Sequence, residues 1–156
     1  MNVSQVMSRR LVTVSPNASF RDLWRSIFKH KVNALPVVDK KKNLLGIVTR
    51  ERLLERVYPD YGDLFAGGDL FPDFEDIEAK LGERVSMKAK DVMSPWVIYT
   101  QVDTPILRAL SRMIVRHVNQ LPVVSARGTL VGMVTKGDIF YTLFRRHFAK
   151  KGKRAR

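Results

Sequence analysis

Cysteine is absent from the 156 residues. That excludes disulfides, Cys-based zinc or iron–sulfur sites and a thiol nucleophile. Long apolar runs are missing too: none approaches the roughly 18 residues of a membrane span. The opening MNVSQVMSRRL lacks the apolar stretch of a secretory signal. A cytoplasmic protein with no membrane partner is expected. No H-E-x-x-H, G-x-S-x-G or Walker loop occurs. His30, His117 and His147 sit on predicted helix ends with no repeated spacing. The carboxylates of residues 58–88 do not follow calcium-loop spacing. With no metal cluster and no nucleophile–base pair, a non-enzyme is expected.

Acidic residues are scarce. Fifteen Asp and Glu stand against 28 Lys and Arg, a formal net charge of +13. Such an excess favours anionic partners. It is unevenly spread: residues 1–57 carry +8, 58–88 carry −5, 89–144 carry +3 and 145–156 carry +7. The chain is otherwise ordinary, 45% hydrophobic and 28% charged, as a globular domain requires. Its length suits one domain with a core that needs no staple.

What the sequence does contain is a duplication. VMS recurs at 6–8 and 92–94, LPVV at 35–38 and 121–124, and G-x-V-T at 46–49 and 132–135. Every offset is 86. Aligning 3–57 on 89–143 without a gap gives 13 identities in 55 positions, where unrelated sequences would give about 3. Internal repeats of this kind define architecture before any local reading does.

Each copy reads alike. A short β-prone stretch comes first, Leu11–Val14 or Val97–Thr100. A helix follows, with Phe20, Leu23, Trp24, Ile27 and Phe28, or Ile106, Ala109, Leu110, Met113 and Ile114, on its apolar face. Thr104 before Pro105 reads as an N-cap with Pro at the first helical position. Two apolar runs then flank a polar turn: Leu35–Val38 and Leu44–Val48 around Asp39–Asn43, Leu121–Val124 and Leu130–Val134 around Ser125–Thr129. A closing helix spans 50–57 or 136 to about 147. The predicted fold is α+β (α/β), two β-α-β-β-α units. A 55-residue unit is marginal alone, so the two are expected to pack with pseudo-two-fold symmetry and a cleft between them.

V-M-S, an amphipathic helix, V-N-x-L-P-V-V and G-h-V-T-x-x-D, in this order and twice, closely resemble the CBS domain. CBS domains occur as tandem pairs called Bateman modules. The resemblance covers about 110 of the 156 residues: repeat 1 over 1–57 and repeat 2 over 89–147. An acidic and aromatic insert occupies 58–88 and a basic tail 148–156. The resemblance implies a regulatory module that binds AMP, ADP, ATP or S-adenosylmethionine without a metal. It implies that Asp138 holds the ribose hydroxyls and that Thr135 lies beside ribose or phosphate. Ile98, Val118 and Met133 would line an adenine slot, Asn119 and Gly137 are further candidate ligand contacts, and Lys136 is a candidate phosphate contact.

The chemistry suits those roles. An ionised carboxylate accepts from the two donors that adjacent ribose hydroxyls present, and a helix N-terminus offers free N–H groups to a phosphate. Thr135-x-x-Asp138 is equally a capping box that needs no ligand. The first repeat departs from the pattern, with Arg52 where the second has Asp138. A donor-only guanidinium cannot replace the acceptor, so one strong site per chain is expected. Arg50 and Arg52 are candidate phosphate contacts instead.

The insert joins Tyr58, Tyr61, Phe65, Phe71 and Phe74 to eight carboxylates. Its aromatics are expected to pack onto the repeats, and DFEDIEAKLG to form a short helix stopped by Gly82. Two functions remain. One is an adenine-nucleotide sensor acting through a protein partner or its own homodimer. The alternative is a nucleic-acid-binding protein that uses the basic tail. Against the second, the tail has one aromatic, Phe148, for base stacking.

Overall fold

In the computed structural model, the structure describes residues 1–57, 82 and 86–151. The calls on the insert's packing therefore lie outside the described residues. Gly82, expected to stop a helix, is itself helical. The element order is a 3-10 turn at Val3–Gln5, α1 (Phe20–His30), β1 (Ala34–Val38), β2 (Leu44–Thr49), α2 (Arg50–Val57), α3 (Ala89–Val92), β3 (Thr100–Gln101), α4 (Ile106–Val115), β4 (Gln120–Val124), β5 (Leu130–Thr135) and α5 (Lys136–Lys151). This is the predicted α+β class, two β-α-β-β-α repeats.

The chain divides into two compact units that cut across the repeats. Val12–Val97 form one, while Met1–Leu11 and Ile98–Arg156 form the other. The reason lies in the V-M-S segments. Ser94 exchanges backbone hydrogen bonds with Ile47 (3.0 and 2.9 Å), and Ser8 does the same with Met133 (2.8 and 3.0 Å). Each V-M-S thus pairs with the G-h-V-T strand of the other repeat. Gly46 and Gly132 make the pairing possible. A Cβ on Gly46 would stand 2.5 Å from the Met93 sulfur and 2.9 Å from the Ser94 carbonyl oxygen. On Gly132 it would stand 2.6 Å from the Met7 sulfur and 3.0 Å from the Ser8 carbonyl oxygen.

In the unit of Val12–Val97, β1 and β2 form an antiparallel hairpin with a bulge at Val37/Val38. Of the expected stretch Leu11–Val14, only Val14 pairs, in one parallel bridge to Val37. Ser19 caps α1 by accepting from the Asp22 N–H at 3.1 Å. Phe20, Leu23 and Ile27 of α1 join Leu35, Val37, Val48, Leu53, Ala89 and Val92 in the core. Trp24 and Phe28 were expected on that face, yet they are exposed and lean on each other, centroids 4.5 Å apart. An 11-residue helix on a two-stranded hairpin buries only a narrow stripe.

The other unit repeats the plan with one more strand. β3 runs parallel to β4, and β4 pairs antiparallel with β5, bulged at Val123/Val124. Its core gathers Val3, Met7, Ile106, Ala109, Leu110, Met113, Leu121, Val123, Val134 and Ile139. Burial of each large side chain stabilises by about 1.5–3 kcal/mol. Ile114, expected inside, is exposed. The α4 start also differs from expectation. Pro105 is the cap residue and Ile106 the first helical one. Thr104 Oγ1 instead accepts from the Gln101 N–H at 3.3 Å, closing the turn before the helix. Among the described residues no helix is long and apolar enough to cross a membrane.

Candidate functional site

β5 delivers Met133, Val134 and Thr135 directly into α5, whose first residues are Lys136, Gly137 and Asp138. A strand that runs into a helix with no loop needs an immediate cap, and this one is reciprocal. The Asp138 N–H donates to Thr135 Oγ1 at 3.0 Å. Asp138 Oδ2 accepts from the Thr135 N–H at 2.9 Å and from its hydroxyl at 2.8 Å. All three bonds on this pair converge on one carboxylate oxygen and one hydroxyl. Among the described residues Asp138 Oδ1 takes no part in these bonds.

Around this turn stand the other expected residues. Asn119 immediately precedes β4, and its carbonyl accepts from the Lys136 N–H at 3.0 Å. Lys136 Nζ lies 3.4 Å from Asn119 Oδ1. Both residues thus sit where the β4–β5 hairpin meets α5. Met133 is half-buried on β5, opposite Pro122 and bridged to Ser8. Ile98 and Val118 are partly buried against the unit's core. Gly137 is exposed, and a Cβ there would meet only the Thr135 hydroxyl, at 3.5 Å. All seven expected ligand residues and Lys136 belong to one compact unit.

Arg50 and Arg52 belong to the other unit, on the first turn of α2. The cap is built there in part: Thr49 Oγ1 accepts from the Arg52 N–H at 3.1 Å. The Arg52 side chain turns to α3, its Nε–H donating to the Val92 carbonyl at 2.6 Å. Arg50 is exposed, and its N–H bonds the Asn33 carbonyl at 2.9 Å.

One residue escaped the sequence reading as more than a strand former. Thr100 is fully buried, and its hydroxyl lacks a hydrogen-bond partner among the described residues. The matching position of the first repeat is Val14. That Thr-for-Val exchange is the signal that a repeat alignment offers. Among the described residues no group of three or more metal-ligating side chains exists.

The duplicated β-α-β-β-α unit, closed each time by a threonine at the strand-to-helix turn, is the architecture of a tandem-repeat module. The profile of the CBS domain matches residues 3–59 and 89–145, and the chain belongs to the CBS-domain family as a tandem pair, a Bateman module. Such modules are regulatory and non-catalytic. A CBS domain-containing protein of Dictyostelium discoideum is 29% identical over 143 residues, spanning 92% of this chain and 91% of the relative. Among solved structures, CBSX2 in complex with AMP aligns with a TM-score of 0.73 at 24% identity, covering 94% of this chain and 98% of that one. The CBS domain pair of MJ0100, in complex with 5′-methylthioadenosine and S-adenosyl-L-methionine, aligns with a TM-score of 0.69 at 23% identity, covering 94% and 98%.

Proposed function

We propose that this chain is a cytoplasmic sensor of adenosine-containing ligands, AMP, ADP, ATP or S-adenosylmethionine, with one strong site centred on Asp138. The observation that carries the reading is the division of the Asp138 carboxylate. Oδ2 is held by Thr135, which orients the group, and Oδ1, unbonded among the described residues, would accept ribose hydroxyls. Charge-assisted bonds of that kind contribute roughly 1.5–3 kcal/mol. Asn119, Gly137 and Lys136 present an amide, an open backbone and a cation at the α5 N-terminus, which suits phosphate, while the Thr135 hydroxyl is committed to holding Asp138. Ile98, Val118 and Met133 supply apolar surface for adenine. Of the two candidate phosphate contacts Arg50 and Arg52, Arg50 is the better, since Arg52 commits its Nε–H to Val92. The ligands named for the similar CBS pairs support the adenosine class.

The signal passes through a regulated protein or through a homodimer. Symmetric dimers are the usual homo-oligomer, and Phe28 and Ile114, equivalent under the repeat, are both exposed apolar residues. A ligand shifts such an assembly only by binding its two states unequally. Titration calorimetry of the full chain with AMP, ATP and S-adenosylmethionine at two salt concentrations tests the reading. One saturable site per chain for at least one of them is expected. No heat with any of the three, or two equivalent sites per chain, would overturn it.

A further inference from the structure

Met1–Leu11 open the first repeat, yet they belong to the compact unit of Ile98–Arg156, which carries the Asp138 turn. Backbone bonds lay the start of the chain on that unit. The Val3 N–H donates to the Thr104 carbonyl and the Ser4 N–H to the Val102 carbonyl, both at 2.9 Å. Val3 is fully buried and Met7 is 9% exposed, both within the unit's core. The segment then reaches β5 at the residue expected to meet adenine. Met133 lies opposite Pro122 on β4, and proline has no N–H to give. Both backbone groups of Met133 go to Ser8: its carbonyl accepts from the Ser8 N–H at 2.8 Å, and its N–H donates to the Ser8 carbonyl at 3.0 Å. Met7 fills the space left by the missing side chain of Gly132, where a Cβ would stand 2.6 Å from its sulfur. β5 alternates buried and half-buried residues, so Met133 and Thr135 share the face turned away from the core. Thr135 in turn holds Asp138.

We propose that Met7 and Ser8, from the first repeat, are positioning residues of the adenosine site in the second. They fix the stretch of β5 that sets the Met133 side chain against the Asp138 carboxylate, and they act through Met133 rather than on the ligand. The proposal rests on the adenosine reading of the Asp138 turn. Linkage makes the effect reciprocal: the factor by which the docked segment raises ligand affinity is the factor by which bound ligand favours docking. The first repeat supplies the control. Met93 fills the same space at Gly46, and Ser94 pairs with Ile47 in the same way, but Arg52 stands where the acceptor would be. A role in packing alone makes the two copies behave alike. A positioning role makes them differ.

Calorimetry and amide hydrogen exchange on the full chain test the proposal, with AMP, ATP and S-adenosylmethionine as probes. Saturation with a probe that binds should slow exchange of the Ser8 amide and leave that of the Ser94 amide unchanged. Met7→Ala should weaken binding by about five- to tenfold, the low end of coupling between linked sites. Met7→Leu, a volume-conserving exchange, should keep the affinity. Met93→Ala should lower the urea midpoint as Met7→Ala does and leave the affinity unchanged. Exchange that slows equally at Ser8 and Ser94, or at neither, would overturn the proposal. So would equal weakening of binding by Met7→Ala and Met93→Ala, or full affinity in Met7→Ala. A parent chain that binds none of the three probes overturns the adenosine reading and this proposal with it, whereas binding without a response at Ser8 overturns the proposal alone.

Discussion

The two repeats build the same strand-to-helix turn and finish it with opposite chemistry. In both, a threonine hydroxyl accepts the N–H three residues on, from Arg52 at 3.1 Å and from Asp138 at 3.0 Å. The hydroxyl is thus a structural need of the turn, common to both copies. The side chain at the capped position is what differs. Asp138 folds back onto Thr135 through one oxygen, while Arg52 reaches 40 residues along the chain to the Val92 carbonyl. The duplication holds two such turns. One closes on its own carboxylate, and the other is a tie between α2 and α3.

The sharpest way to test that difference is to remove the acceptor. Asp138→Ala should weaken adenosine-ligand binding by roughly ten- to a hundredfold, from the lost charged hydrogen bonds. It should also cost about 0.5–1.5 kcal/mol of stability through the lost bonds to Thr135. Asp138→Asn separates the two effects, since its amide oxygen can still accept from Thr135 while an N–H group, not an acceptor, takes the place of the second oxygen: stability returns and affinity does not. Calorimetry with the best ligand, beside urea denaturation, reads both. Affinity that recovers with asparagine would show Asp138 to hold the turn and nothing more.

The next largest effect lies where the repeats agree. Gly46→Ala and Gly132→Ala each drive a Cβ against a methionine sulfur and a backbone carbonyl. Met93 and Met7 can swing aside, but the carbonyls of Ser94 and Ser8 are held by the strand pairing itself. Overpacking of this kind typically costs about 1–3 kcal/mol. The two should cost alike, since the contacts match. Parallel denaturation curves check this. Two variants as stable as the parent would show that the V-M-S pairing yields easily.

These contacts also show what the sequence could and could not tell. V-M-S and G-h-V-T were visible as repeated strings, so the hairpins, their turns and the closing helices could be located to within a few residues. That each string serves the other repeat was not legible. Repetition fixes which residues match, whereas exchange of a segment between copies is a matter of tertiary pairing that no repeated string encodes. The burial of the helices was half legible. Periodicity names one apolar face, but how wide a stripe a small sheet covers decides that Leu23 is buried and Trp24 exposed. For the candidate site, the types and spacing of Thr135 and Asp138 were readable. That a single oxygen of Asp138 takes both bonds from Thr135 needed coordinates, because capping and ligand binding favour the same two residues.

The smallest effect concerns the hairpin turns, again one design in two chemistries. Asp39 and Ser125 occupy the same place. Asp39 Oδ1 accepts the N–H groups of Lys41 and Asn43 at 2.8 and 2.9 Å, and Oδ2 accepts from the Asn43 amide at 2.9 Å. Ser125 Oγ accepts the N–H groups of Arg127 and Thr129, both at 3.3 Å. The left-handed residue of each turn is Lys42 in the first and Gly128 in the second. A lysine there is less at ease than a glycine, and the stronger carboxylate turn compensates for it. The Asn43 amide and N–H, with the Lys41 N–H and charge, hold the Asp39 carboxyl below its ordinary value of 3.8. A lowered folded-state value means that the contribution is present above the unfolded value and is lost as pH falls through the folded one. The first turn should therefore weaken in acid while the second does not. Asp39→Ser should cost a little stability at neutral pH, and the deficit should shrink as the pH falls below 3.8. Urea midpoints of parent and variant across that range read the difference. A deficit that stays constant with pH would mean that the ionised carboxylate is not what holds the turn.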